Sequence, residues 1–167
     1  MKKSVILIVT IVAMAFPSLT RAQTDAEKSL DWARNMVKVT TGLANDFATF
    51  KGDFLQKDDS ENSYYTAKDI DVGTTRQYVI ITPKGSGRFA AIYVGADKDD
   101  KTPAMAFAAF TGGIITLNNG GGDLTVTHDD AQPSGTLKYY LSVKGTKVAS
   151  FTFDITENKG TLLVAWQ

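Results

Sequence analysis

Between Thr136 and Ile155, apolar and polar residues alternate with a period of two. Leu137, Tyr139, Leu141 and Val143 fall on one side of the first segment, Thr136, Lys138, Tyr140 and Ser142 on the other. In the second, Ala149, Phe151, Phe153 and Ile155 alternate with Ser150, Thr152 and Asp154. Successive side chains point to opposite faces in an extended strand, so both segments are predicted strands with one apolar and one polar face. Lys144-Gly145 between them is a tight-turn pair, and Glu157-Asn158-Lys159-Gly160 turns the chain again toward Leu162, Val164 and Trp166. Such an antiparallel meander must cover its apolar face and can leave the other in water.

The cover is predicted upstream. Thr24 followed by Glu27 fits a capping box, and Leu30, Ala33 and Val37, with Met36 beside them, recur at helical spacing. Thr40-Thr41-Gly42 weakens the helix, after which Leu43, Phe47 and Phe50 resume the pattern and Gly52 suits a cap. One kinked helix or two consecutive ones should therefore end near Lys51. Tyr64 to Ile70, Thr75 to Thr82 and Arg88 to Gly95 read as strands, and the apolar run Tyr78-Val79-Ile80-Ile81 suggests a central strand covered on both faces. Thr102-Pro103 opens a short apolar helix through Phe110 that Gly112-Gly113 should stop, although a buried strand fits a run this short. Ile114 to Leu117 and Leu124 to Thr127 then flank a glycine-rich tip as a predicted hairpin.

These pieces imply an α+β fold: an N-terminal helical segment and one short helix packed on a mostly antiparallel sheet. A β-sandwich or barrel with a helix across it is the alternative.

The first 22 residues follow a different logic. Lys2 and Lys3 precede an apolar run from Val5 to Phe16, Pro17 breaks it, and Thr20-Arg21-Ala22 places small residues at −3 and −1 before Gln23. This is the pattern of a secretory signal peptide, with an uncleaved anchor as the competing reading and the apolar run short for a span. The expected product is a single globular domain over 23–167, periplasmic or secreted, with no stable membrane insertion after cleavage. It is large enough to bury about 68% of its unfolded surface without disulfides, which the absence of cysteine rules out. Cleavage takes Lys2, Lys3 and Arg21 and no acid from the 18 basic and 18 acidic residues, leaving 15 basic against 18 acidic. That mildly acidic balance argues against nucleic acid as a partner, because a nucleic-acid binder needs a basic face to displace counterions.

Candidate chemistry is sparse. With no cysteine and one histidine, thiol catalysis and two-histidine metal sites are excluded. His128 stands at a strand end beside Asp129 and Asp130, where a solvated turn histidine is expected. Ser86, between Gly85 and Gly87, lacks the spacing of a nucleophile elbow. Asn119-Gly120-Gly121-Gly122-Asp123 lacks the lysine and the strand-to-helix context of a phosphate loop. Asp58, Ser60, Asn62 and Asp69 imitate a calcium loop, but Ser63 replaces its turn glycine and Asp69 its bidentate glutamate. Asp97, Asp99 and Asp100 are offset by Lys98 and Lys101. No catalytic residue, metal ligand or cofactor is therefore assigned.

The remaining lead is aromatic. Tyr64-Tyr65 and Tyr139-Tyr140 each send one ring to either face of a strand, and an outward Tyr65 or Tyr140 would suit a binding surface. Cross-strand packing explains the same pairs. The expected function is an exported, non-catalytic binding or interaction module for an unknown protein or small-molecule ligand. The alternatives are a small hydrolase or lyase using carboxylates with His128 or a tyrosine, and a structural envelope component.

Overall fold

The computed structural model describes residues 24–118 and 123–165. The predicted signal peptide, residues 119–122 of the glycine-rich tip and Trp166 lie outside them. Helix α1 (Asp25–Thr40) starts at the expected capping box, in which the Glu27 N–H donates to the Thr24 hydroxyl and the Glu27 carboxylate accepts from the Thr24 N–H. Two 3₁₀ turns follow, Thr41–Asn45 and Ala48–Phe50, with Asp46 and Phe47 between them in the left-handed region. The predicted kinked helical segment thus ends at Phe50. Gly52 is not a helix cap: it lies in strand β1 (Lys51–Lys57), whose sequence shows no alternation.

Strands β2 (Ser63–Ala67), β3 (Arg76–Ile81) and β4 (Gly87–Val94) follow as consecutive antiparallel hairpins. Helix α2 (Thr102–Ala108) carries Pro103 in its first turn, where the missing N–H costs nothing. The expected stop at Gly112-Gly113 does not occur. The chain passes through a π-helical turn (Ala109–Gly113) into α3 (Ile114–Asn118), so Ile114 to Leu117 is helix rather than half of a hairpin. Close packing explains this: a Cβ on Gly113 would stand 2.6 Å from the Ala33 Cβ, so the glycine lets this helix lie against α1. Strands β5 (Leu124–His128), β6 (Thr136–Val143), β7 (Thr146–Asp154) and β8 (Lys159–Ala165) follow.

The eight described strands form one open antiparallel sheet in the order β1-β2-β3-β4-β8-β7-β6-β5. The chain builds this sheet twice from the outside inward. One helix-and-four-strand half ends at β4, and the second starts at the opposite edge and ends at β8, beside β4. Cross-strand register fixes the faces. Val79, Phe89, Val164, Ala149 and Leu141 follow one another across β3, β4, β8, β7 and β6, and all are buried on the face that carries the helices. Ala33, Met36 and Val39 of α1, Ala106, and Ala109, Phe110 and Ile114 of the second helical segment close that core. The predicted α+β class and the facing of the C-terminal meander therefore hold. The predicted two-sided cover over Tyr78–Ile81 does not: Val79 is buried under the helices, while Tyr78 and Ile80 are half-buried on the opposite face. Among the described residues no helix is long and apolar enough to cross a membrane.

Candidate binding face

Opposite the helices, the same alternation builds a second surface. Arg88 pairs with Ala165, Ala90 with Leu163 and Ile92 with Thr161, while Ile80 and Tyr78 lie across from Arg88 and Ala90 on the other side of β4. Ile80, Ala90, Ile92, Leu163 and Ala165 thus make an apolar centre. Around it stand Thr66, Ser150, Thr152 and Thr161, whose hydroxyls follow from the polar half of each strand's pattern. No described helix covers this face. Tyr140, Val148, Ala149, Ser150, Leu163 and Ala165 line a hollow of about 40 Å³ in it.

The two tyrosine pairs divide as the strand period requires, and register decides which ring goes where. Tyr65 lies opposite the buried Val79, so it belongs to the helix-bearing face. There it packs edge-on against Phe54 at 5.6 Å, and the Lys51 ammonium sits 4.0 Å from its ring centroid. Tyr140 lies on the open face, and Tyr64 is its counterpart in the first half, packed edge-on against Tyr78 at 6.1 Å. Tyr65 and Tyr140 are thus on opposite sides of the sheet. Tyr64 and Tyr78 were missed as candidates because pairing between strands, not the sequence of one strand, assigns each ring its face.

Tyr140 has the most elaborate surroundings. Its hydroxyl donates to the Asp129 carboxylate at 2.9 Å, and its ring lies 3.9 Å from the Lys147 ammonium and 5.3 Å from that of Lys138. Cations placed over an aromatic face are held by the ring's quadrupole. The Tyr140 hydroxyl, then the Ala131 N–H and the Gln132 amide, hold the Asp129 carboxyl below the usual aspartate range. Tyr64 repeats the arrangement at the β1–β2 hairpin, donating to Asp58 at 3.1 Å. Asp58 also accepts from the Asn62 amide and from the Ser60 and Asn62 N–H groups, which holds its carboxyl low, the Asn62 side chain contributing most. Burial, then the bond to Asp58, pushes the Tyr64 hydroxyl up.

The remaining candidates lie elsewhere. His128 Nδ1 meets Asp130 at 2.7 Å in an exposed position, and its ring lies tilted against that of Tyr139, 4.7 Å between centroids, at the margin of the helix-bearing face. The calcium-like loop is occupied by its own chain, since the Asp58 oxygens accept the bonds just described. In the second acidic loop, Asp100 accepts from the Ala96 and Thr102 N–H groups. Among the described residues no three acidic or histidine side chains converge as a metal site. Ser86 lies in the β3–β4 turn with its hydroxyl 2.9 Å from that of Thr82. A cleft of about 370 Å³ beside α1 is lined by Lys28, Asp31, Trp32, Arg34, Asn35 and Asp71 and is open to solvent. Among the described residues, Tyr93 Oη and Gln77 Oε1 are buried without a hydrogen-bond partner, both on the helix-bearing face of the sheet.

No protein-family model, curated protein or solved structure matches the chain.

Proposed function

We propose that this chain is an exported, non-catalytic binding module whose working surface is the open face of its sheet. One observation carries the reading: an eight-stranded sheet has one face under helices and the other uncovered by any described element, with Ile80, Ala90, Ile92 and Leu163 at the centre of that side. An apolar centre ringed by hydroxyls and tyrosines has the anatomy of a recognition surface, in which aromatic anchors and a polar rim surround an excluded core. The pattern of residues 1–22 supports export, with cleavage after Ala22 and a periplasmic or secreted product.

Two experiments test this. N-terminal sequencing of the exported protein should begin at Gln23, whereas an intact Met1 in the membrane fraction contradicts export. A photo-crosslinking amino acid placed at Thr152, on the open face, should trap a discrete partner in living cells, and the same probe at Ile115, on α3, should not. Equal trapping from both positions, or none from Thr152, contradicts the proposed surface.

A further inference from the structure

The charge of the open face narrows its occupant, granted that this face is the binding surface proposed above. At its paired strand positions the ionisable side chains other than tyrosine are Arg76, Arg88, Lys138, Lys147 and Lys159, against Asp154. Asp154 Oδ1 is already engaged by the Thr156 and Glu157 N–H groups. At the margins, Asp58 and Asp129 accept from Tyr64 and Tyr140, and on the edge strand β1 the exposed Asp53 adjoins the face through its N–H, which donates to the Thr66 hydroxyl at 2.8 Å. The chain beyond residue 22 carries more acids than bases, so this basic excess is a property of one face and not of the molecule.

That distribution selects among occupants. Two basic faces repel, which disfavours a second copy docked face to face. The hydroxyls of Ser150, Thr152 and Thr161 offer hydrogen bonds that lipid tails cannot use. The aliphatic centre and the 40 Å³ hollow beside Tyr140 call for aliphatic side chains, which a phosphate backbone lacks. We infer that the open face docks an acidic polypeptide segment bearing aliphatic side chains, with carboxylates at Lys138 and Lys147 and an aliphatic group over the hollow formed by Val148, Leu163 and Ala165. Complementary charge of this kind fixes register and raises the encounter rate, while the apolar contact holds the complex.

The test is selection of a random-peptide phage library on the purified protein, followed by affinity measurements on the selected peptides and on phosphatidylglycerol vesicles. The comparison set is wild type, the double variant Lys138→Glu with Lys147→Glu, Leu163→Asp, and Lys84→Glu in the exposed β3–β4 turn. Melting curves establish that each is folded, and Lys138→Gln with Lys147→Gln replaces the double reversal if that variant unfolds. The expected result is enrichment of Asp and Glu together with Val, Leu and Ile. Affinity should fall roughly tenfold or more in the double variant, about 1.4 kcal/mol, and change less than about twofold in Lys84→Glu. Selection of basic or uncharged apolar peptides that bind wild type but not Leu163→Asp would overturn the acidic partner and leave the binding face standing. Peptides indifferent to every variant, or no selection at all, would overturn both. Vesicle binding that is lost in the double variant, with no acidic peptides selected, would assign the face to a membrane instead.

Discussion

Tyr140 donates its hydroxyl to Asp129 from a position two residues beyond Lys138, whose carbonyl accepts the Asp129 N–H at 2.9 Å. Tyr64 and Asp58 stand in the same relation: the Asp58 N–H donates to the carbonyl of Asn62, and Tyr64 lies two residues beyond it. Each outer hairpin of the sheet is therefore closed by the same tyrosine–aspartate diagonal, once in each half of the chain.

These bonds make stability depend on pH in a defined direction. Asp129 and Asp58 have lowered carboxyl values in the folded state, by hydrogen bonds from Tyr140 and from Asn62 respectively, and Asp100 is lowered by the Ala96 and Thr102 N–H groups. As pH falls, the unfolded chain takes up protons first. The stabilisation is thus complete above the ordinary aspartate value near pH ~4 and is lost as pH drops through the lower folded values. Tyr140→Phe should melt below wild type at pH 6, and the two curves should converge in acid. Parallel curves in thermal melts across this range would contradict the role assigned to the Tyr140–Asp129 bond.

Phe151 of β7 is fully buried, with ring centroids of Tyr93, Phe110 and Phe107 within 5.5–6.0 Å, whereas Phe153 on the same face is half-buried against Phe107. Phe151→Ala should cost about 3–5 kcal/mol in denaturant unfolding, and Phe153→Ala less. Thr152→Ala, on the open face, should cost about 0.5 kcal/mol or less. Equal midpoints for Phe151→Ala and Thr152→Ala would mean that the strand's facing is reversed.

A glycine makes room for that ring. A Cβ on Gly160 would stand 2.8 Å from two carbons of Phe151, so the cross-strand aromatic lies directly over the Gly160 backbone. Gly160→Ala should cost about 1–3 kcal/mol by forcing the ring aside. An unchanged unfolding midpoint would show that the core yields there.

How much of this was legible depended on where burial is one-sided. β6 and β7 were readable because Leu141 and Phe151 are buried on one face while Lys138 and Thr152 face out on the other. β1 was not: Phe54 and Leu55 are exposed and the strand carries irregular register, so Lys51–Lys57 has no alternation to find. The helical identity of Ile114–Asn118 was hidden because Gly112-Gly113 reads as a stop, and only the approach of Ala33 explains a glycine there. The doubled architecture was equally hidden, since topology rather than side-chain identity repeats. For the candidate surface, Tyr140 could be found from its strand's period, but choosing between Tyr64 and Tyr65 required knowing that Tyr65 lies across from Val79.

His128 should prove dispensable. Its hydrogen bond to Asp130 joins two exposed side chains at a strand end, outside the open face. His128→Ala should leave denaturant stability within about 0.5 kcal/mol of wild type and leave peptide binding unchanged. Loss of binding or of any measured activity in a variant that still melts normally would restore this histidine as a functional group.

The most direct measurement compares the two faces in one binding experiment. Once the partner trapped from Thr152 is identified, its affinity is measured for wild type, for Leu163→Asp at the centre of the open face, and for Ile115→Asp on α3, where Ile115 is already 52% exposed. Melting curves establish that both variants are folded. The account predicts that Leu163→Asp loses binding by roughly tenfold or more while Ile115→Asp stays within about twofold of wild type. Full binding by folded Leu163→Asp would contradict the account, and loss in Ile115→Asp alone would place the working surface on the helices instead.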